Sequence, residues 1–269
     1  MSTFLLWRAM VRFWHMSMPD RPRLLILGGT RDAATLAGQV VLRWGSALDV
    51  MTSLAGRTMA PAEIPGQVRT GGFGGPDAMA DYLAVEGITA VIDATHPFAA
   101  KISGNAERAC VRANVPRLLV DRPHWEQVEG DQWHFASSYV QAAEMLPRLG
   151  HRVFLTTGHS GLDAFASFQD AWFLVRLVDA PSGTLPLANY ETIAARGPFT
   201  QADERALIER HEIDVIVCKA SGGDMTRAKL DAARAMGLPV LMMTRPDPPD
   251  GPRVNSIDGA MAWLEDMLT

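Results

Sequence analysis

The stretch Leu24-Leu25-Ile26-Leu27-Gly28-Gly29-Thr30-Arg31 decides the fold. Four apolar residues run straight into two glycines and then into a helical pattern that begins at Asp32. A strand without a polar face must be covered on both sides, the condition of a parallel sheet between helices. Glycine lets the backbone turn sharply and come close to a ligand, and the free N–H groups of a helix start take an anion. The motif is not G-x-G-x-x-G, because Ala33 or Ala34 stands where the third glycine would help helix and strand pack.

The same alternation continues outward. The first half reads as strand Leu24–Leu27, helix Asp32–Leu42, strands Leu48–Thr52 and Gln67–Thr70, and helix Asp77–Glu86. Strand Ala90–Asp93, helix Ala99–Asn114 and strand Arg117–Val120 follow. The second half reads as strand Arg152–Thr156, a short helix near Leu162–Phe168, and strands Trp172–Val178 and Thr192–Ala195. Helix Ala202–His211, with Thr200 and Asp203 at capping-box spacing, leads to strand Asp214–Cys218, helix Thr226–Met236, strand Val240–Met243 and helix Asp258–Leu268. Ala106–Pro123 also rhymes with Lys229–Pro246: a helix ends, Pro precedes four strand residues, and Arg-Pro follows. Beyond each Arg-Pro come a loop and a helix, Ser138–Leu149 in one case and Asp258–Leu268 in the other. Either an internal duplication or the general likeness of βα units accounts for this rhyme. The expected architecture is α/β: two Rossmann-like domains with parallel sheets flanked by helices and an active site in the cleft between them. Residues 1–20 form an N-terminal extension, 21–140 the nucleotide-binding domain and 141–269 the C-terminal domain.

Bulk properties narrow the classes. The 269 residues carry a net charge of −5, which argues against nucleic acid, so an anionic ligand must be held by locally placed Arg and Lys. Cys110 and Cys218 form neither a CxxC nor a disulfide framework, and both read as small buried residues in a reducing cytoplasm. The first 18 residues, interrupted by Arg8, Arg12 and His15, are too short and too charged to cross a membrane and lack a secretory pattern. They read as an amphipathic extension, or as the product of an upstream start codon with Met16 or Met18 as the real start.

Several strand tips carry chemistry. The second strand ends in Ser53 without an acidic residue, with Arg57 and Arg31 at hand. An NAD site would hold the ribose 2′-hydroxyl with an acid there, so the pattern favours NADPH. Gly71-Gly72-Phe73-Gly74-Gly75 gives a backbone free to pass close to a flat ligand. Asp93-Ala94-Thr95-His96-Pro97 ends the fourth strand with small residues and one histidine. In the second half, Thr156-Thr157-Gly158-His159-Ser160-Gly161 and Cys218-Lys219-Ala220-Ser221-Gly222-Gly223 occupy equivalent tips, and Lys219, Arg176 and Arg196 add positive charge. HExxH, CxxC, a metal-spaced histidine pair, G-x-S-x-G, GxxxxGK[ST] and Tyr-x-x-x-Lys are all missing, so no metal site is expected. Without an obvious acid for carbonyl reduction, the expected chemistry is hydride addition to a conjugated C=C or C=N.

The ordered set LLILGGTRDAATLA, TSLAGR, GGFGG, VIDATHPFA, Arg122-Pro123-x-Trp125, TTGHSGL, ARGPF and VCKASGG resembles the precorrin-6A reductase family of cobalamin biosynthesis, from about Arg23 to the C-terminus. The resemblance implies an NADPH-dependent oxidoreductase acting on a CH–CH group of a polycarboxylate tetrapyrrole, which gives precorrin-6B for the next pathway enzyme. It assigns the cofactor to Gly28, Gly29, Thr30, Arg31, Ser53, Arg57, Gly71, Gly72 and the segment Asp93, Ala94, Thr95, His96, Pro97. Lys219, Ser221 and Gly222 meet the cofactor from the other domain, and Thr157, Gly158, Arg176 and Arg196 meet the substrate. Asp121, Ser137, His96, His151 and Lys219 are the candidates for catalysis, with solvent as another proton source. The alternatives are a cobalt-loaded substrate, a smaller unsaturated one, or a module that binds NADPH as a sensor without turning it over.

Overall fold

The computed structural model describes residues 21–56 and 63–269. The N-terminal extension, with Met16 and Met18, and Arg57 lie outside the described residues. In chain order the described strands are β1 (Arg23–Leu27), β2 (Asp49–Leu54), β3 (Gln67–Thr70), β4 (Ala90–Asp93), β5 (Arg117–Val120) and β6 (Gln132–Ala136). Then come β7 (Arg152–Leu155), β8 (Trp172–Leu177), β9 (Tyr190–Ala194), β10 (Val215–Lys219), β11 (Pro239–Met243) and β12 (Arg253–Val254). The α-helices are α1 (Arg31–Trp44), α2 (Pro76–Val85), α3 (Ala100–Ala113), α4 (Tyr139–Met145), α5 (Gln201–Arg210), α6 (Ala228–Met236) and α7 (Ile257–Leu268).

The chain forms two compact units. The first holds the described residues up to Arg122 together with Asp247–Thr269. Its sheet is wholly parallel, in the order β12-β5-β4-β1-β2-β3. Successive residues of β1 point to opposite faces, and both faces are dry. Leu24 and Ile26 pack with Ala33, Leu36, Ala37 and Val40 of α1 and with Ala260, Trp263, Leu264 and Met267 of α7. Leu25 and Leu27 pack with Met79 and Leu83 of α2 and Ala106, Ala109 and Cys110 of α3. Each helix shows the spacing of three and four that puts one stripe against a sheet, and each fully buried Leu or Ile contributes about 1.5–3 kcal/mol.

The second unit is Pro123–Pro246, with a parallel sheet in the order β6-β11-β10-β7-β8-β9. Phe154, Leu174, Ile216, Cys218, Val240 and Met242 line one face and meet Ile208 of α5 and Leu230, Ala232 and Ala233 of α6. Counted within each unit, both sheets have the order 3-2-1-4-5-6 of a dinucleotide-binding fold, provided the sixth strand is taken from elsewhere in the chain. The sixth strand of the first unit is β12 and that of the second is β6.

This exchange corrects the boundary expected near residue 140. The chain leaves the first sheet at Arg122, adds β6 and α4 to the second unit, and returns after Pro246 with β12 and α7. Both crossings occur at an Arg-Pro pair, where proline has no N–H to continue a ladder. The rhyme between Ala106–Pro123 and Lys229–Pro246 therefore marks the two exits. Neither β6 nor β12 was expected. β6 is an edge strand with mostly polar or exposed residues, Gln132 and Phe135 among them, and β12 has only two residues. The helix expected at Ser138–Leu149 breaks into α4 and a 3-10 turn at Leu146–Arg148, because Pro147 cannot donate to the α ladder. The helix near Leu162–Phe168 is a 3-10 turn, Leu162–Phe165. The cap at Thr200 holds: its Oγ1 accepts from the Asp203 amide at 3.1 Å and donates to that carboxylate at 2.7 Å.

Candidate active site

In an open sheet of this order, ligands bind beyond the strand C-termini, where neighbouring connections depart in opposite directions. In the first unit that point lies between β1 and β4. The Gly28 amide donates to the Ser53 carbonyl at 2.9 Å, which ties the glycine turn to the tip of β2. A Cβ on Gly28 would come within 2.9 Å of Thr52 Cγ2, so the turn itself requires glycine there. Gly29 has φ +99, and among the described residues nothing lies within 4 Å of where its side chain would be. Thr30 caps α1 by accepting from the Ala33 amide at 3.1 Å, and its hydroxyl donates to the Ala94 carbonyl at 2.7 Å. One threonine thus joins the turn after β1 to the tip of β4. Arg31 is exposed in the first turn of α1, and Asp32 beside it is neutralised by Arg122 at 3.0 Å.

The Asp93–Pro97 segment is built around a buried carboxylate. Asp93 is fully buried, and its Oδ1 accepts from the Thr95 amide at 3.1 Å and the Thr95 hydroxyl at 2.7 Å. Its Oδ2 is buried without a hydrogen-bond partner among the described residues. Asp93 therefore shapes the loop from below, whereas Thr95, His96 and Pro97 are half-buried along it. His96 Nδ1 accepts from the Phe98 amide at 3.2 Å, which places the proton of the neutral ring on Nε2. Asp121, at the end of β5, donates its amide to the Val254 carbonyl at 2.8 Å and so meets the exchanged strand.

The corresponding point of the second unit lies between β7 and β10. Lys219 ends β10 and donates from Nζ to the Thr157 carbonyl at 2.9 Å and the Ser160 hydroxyl at 3.0 Å. Thr157 is buried, and its hydroxyl donates to the Ser160 carbonyl at 3.1 Å. Gly158 (φ +66) follows in this loop, and a side chain there would meet nothing within 4 Å among the described residues. Ser221 and Gly222 follow β10, and Gly222 is pressed against the Pro123 carbonyl and Arg245. Arg245 donates to the carbonyls of Ala220 at 3.3 Å and Ser221 at 3.1 Å, while the Trp125 indole donates to Gly223 at 2.7 Å. Both Arg-Pro corners thus brace a switch-point loop, Arg122 in the first unit and Arg245 in the second.

Three of the candidate residues are engaged within the second unit. Arg176, taken as a substrate contact, is 10% exposed and forms a two-pronged pair with the buried Glu204, at 2.7 Å on each arm. It also lies over the rings of Phe154 and Phe199, so its charge is spent inside the unit. His151 precedes β7, at the opposite end of its strand from Thr157, with its amide on Asp214 and its ring against Phe168. Ser137 is exposed after the edge strand β6, and its amide and hydroxyl both donate to Gln141 Oε1. Arg196 is exposed beyond β9, free of the pairing that commits Arg176 to Glu204.

Two features escaped the sequence reading. Arg69, on β3, donates to Ser53 Oγ at 2.7 Å, although the strand Gln67-Val68-Arg69-Thr70 carries no ligand motif of its own. Lys229, on α6, is buried over the Trp125 ring, and burial pulls its ammonium below the ordinary lysine range. Cys218 and Glu204 nearby draw it back up, and Arg176 pushes it further down. Among the described residues no group of His, Cys, Asp and Glu is arranged to hold a metal, and no helix is long and apolar enough to cross a membrane.

Residues 23–265 match the model of a family described as precorrin-6x reductase CbiJ/CobK. A precorrin-6A reductase of Rhodococcus erythropolis is 48% identical over 90% of this chain and 97% of its own. A cobalt-precorrin-6A reductase of Priestia megaterium is 31% identical over 83% of this chain and 90% of its own. The solved structure of a CobK precorrin-6A reductase superposes with a TM-score of 0.86 at 41% identity, covering 91% of this chain and 97% of that one. With both sheets, the glycine turn and the strand-tip motifs inside the matched span, the chain belongs to the precorrin-6x reductase family CbiJ/CobK.

Proposed function

We propose that this chain reduces one conjugated double bond of precorrin-6A with NADPH, giving precorrin-6B. The observation that carries the reading, beside family membership, is the open Gly28–Gly29 turn, which delivers the chain onto the N-terminus of α1 at the switch point of the first sheet. The residues fit a dinucleotide: Gly28 admits no side chain, Gly29 is unobstructed, and the first N–H groups of a 14-residue helix face the turn. NADPH, when bound, supplies a hydride to one carbon of the conjugated system and leaves as NADP+. A proton reaches the neighbouring carbon, so the product gains two hydrogens.

The remaining work falls to this chain's residues. Thr30 and Asp93 fix the two loops on either side of the nicotinamide position. His96, whose Nδ1 accepts from Phe98, presents Nε2–H at the tip of the β4 connection as a hydrogen-bond donor to the macrocycle, and the proton comes from Asp121 or solvent. Lys219 holds the Thr157–Gly161 loop rigid, and with the exposed Arg196 it meets carboxylates of the macrocycle. Positioning of this kind accounts for most of a hydride transfer to an electron-poor system.

The higher identity to the metal-free-substrate relative, 48% against 31%, favours precorrin-6A over its cobalt complex. The test is loss of the reduced-nicotinamide absorbance with each macrocycle, run with NADPH and with NADH. Turnover of precorrin-6A with NADPH supports the proposal. Turnover of the cobalt complex alone replaces the substrate, and tight NADPH binding without turnover of either identifies a sensor.

A further inference from the structure

Along the strand ends of the first sheet, three residues lie side by side. Leu27, the last residue of β1, is in register with Ser53 of β2, and Ser53 with Arg69 of β3. The Arg69 guanidinium is held by neutral acceptors: Ser53 Oγ at 2.7 Å, the Gly71 carbonyl at 3.1 Å and the Gly72 carbonyl at 3.3 Å. Its plane lies over the rings of Phe73, 4.0 Å away, and Tyr82, 5.0 Å away. Tyr82 is itself fixed by its hydroxyl on Met51 Sδ at 2.7 Å.

Arg69 meets no counter-charge among the described residues. Arg23, Arg43, Arg112, Arg122 and Arg176 each meet a carboxylate. The polar partners of Arg69 there are one hydroxyl and two carbonyls. A guanidinium locked in one orientation by neutral partners keeps its full charge and loses little freedom when an anion arrives. The described residues leave space beside it. Among the described residues a side chain on Gly72 would meet nothing within 4 Å, and its backbone is not left-handed.

In this fold the tip of the second strand faces the adenosine ribose, and an acid there binds the 2′-hydroxyl of NADH. Here that tip is Ser53, and the residues that follow it, Leu54-Ala55-Gly56, are uncharged. We infer that Arg69, oriented by Ser53, binds the 2′-phosphate of NADPH and sets the preference for NADPH over NADH. This rests on the cofactor reading above and moves the phosphate contact from α1 and the segment after β2 to the edge strand β3.

The test needs no macrocycle. Dissociation constants for NADPH, NADH and adenosine 2′,5′-bisphosphate are measured by titration with the wild type, Arg69→Gln, Arg69→Lys and Arg57→Ala. Losing charge-assisted hydrogen bonds should weaken NADPH and the bisphosphate roughly 10- to 100-fold in Arg69→Gln while NADH stays within about threefold. Arg69→Lys, which keeps the charge and the stem but not the fork, should lose about a third to a half of that preference on a logarithmic scale. NADH serves as the folding control, and if Arg69→Gln loses NADH too, Arg69→Lys decides. An unchanged NADPH/NADH ratio in both Arg69 variants, or a loss carried by Arg57→Ala instead, overturns the inference and leaves the cofactor reading standing. A wild type that binds neither nucleotide overturns the cofactor reading itself.

Discussion

The two sheets share a strand order, yet their switch points are built for different ends. After β1 the chain turns through two glycines and enters a 14-residue helix, leaving the helix N-terminus open. After β7 it makes a longer loop that ends in a four-residue 3-10 turn, and the Lys219 ammonium satisfies that loop from within. Topology alone therefore does not confer dinucleotide binding. A helix start with free N–H groups attracts phosphate, whereas a loop already bridged by a cation offers a fixed platform. The interiors differ in the same sense. Among the described residues the first unit buries Asp93 and Arg117, which are not paired with each other, and the second holds Arg176, Glu204 and Lys229 together.

The largest expected effect breaks that second interior. Glu204→Gln leaves the Arg176 guanidinium without its carboxylate, beside the buried Lys229, and should cost about 3–5 kcal/mol of stability, read from urea unfolding. A loss under about 1 kcal/mol would show that the cluster is better hydrated than its burial implies. Next comes Gly28→Val, whose branched side chain would collide with Thr52 and close the turn. NADPH binding should fall by about 100-fold or more, while the sheet of the second unit keeps its thermal transition. Unaltered NADPH affinity would remove the first unit from the cofactor assignment.

A smaller effect sharpens the contrast between the loops. Lys219→Met should lower turnover about 10-fold with NADPH affinity nearly unchanged, because it frees the Thr157–Gly161 platform and removes a cation for the substrate. An equal loss of NADPH affinity would bring Lys219 into the cofactor site. The smallest effect separates the units by pH. Burial pushes the Cys110 thiol up from 9.0 to about 12, with Arg117 opposing and Asp93 adding to the rise. The unfolded thiol ionises first, so the folded state binds more protons and loses stability as pH rises through that window. Cys110→Ala should remove about 1 kcal/mol of the decline between about pH 9 and about pH 10. In the second unit the trend is mixed. Cys218, pushed up to about 11, acts in the same direction, whereas the lowered Lys229 makes stability rise with pH.

Much of the fold was legible because local pattern and burial agree. Two strands, Ala90–Asp93 and Arg117–Val120, fall where the apolar runs put them, and the helix ends follow their caps and glycines. The glycine turn was legible for the same reason, since its chemistry is contained in consecutive residues. β6 was not, because an edge strand needs no apolar face and its existence depends on β11, about a hundred residues away. The site divides in the same way. Ser53 was found from the missing acid at its strand tip, but Arg69 was not, because only the pairing of β2 with β3 brings the two together.

By itself, then, the sequence determined the α/β class, the switch-point loops and the family, since each depends on short runs whose periodicity and turn chemistry are local. Only the tertiary structure decided which arginines face outward. Arg176 and Arg69 look alike as cations near strand ends, but Glu204 folds back onto the first and no acid among the described residues reaches the second. It also decided where each unit ends, because a strand joins whichever sheet has an open edge for its N–H and C=O groups. At both Arg-Pro corners that edge belonged to the other half of the chain.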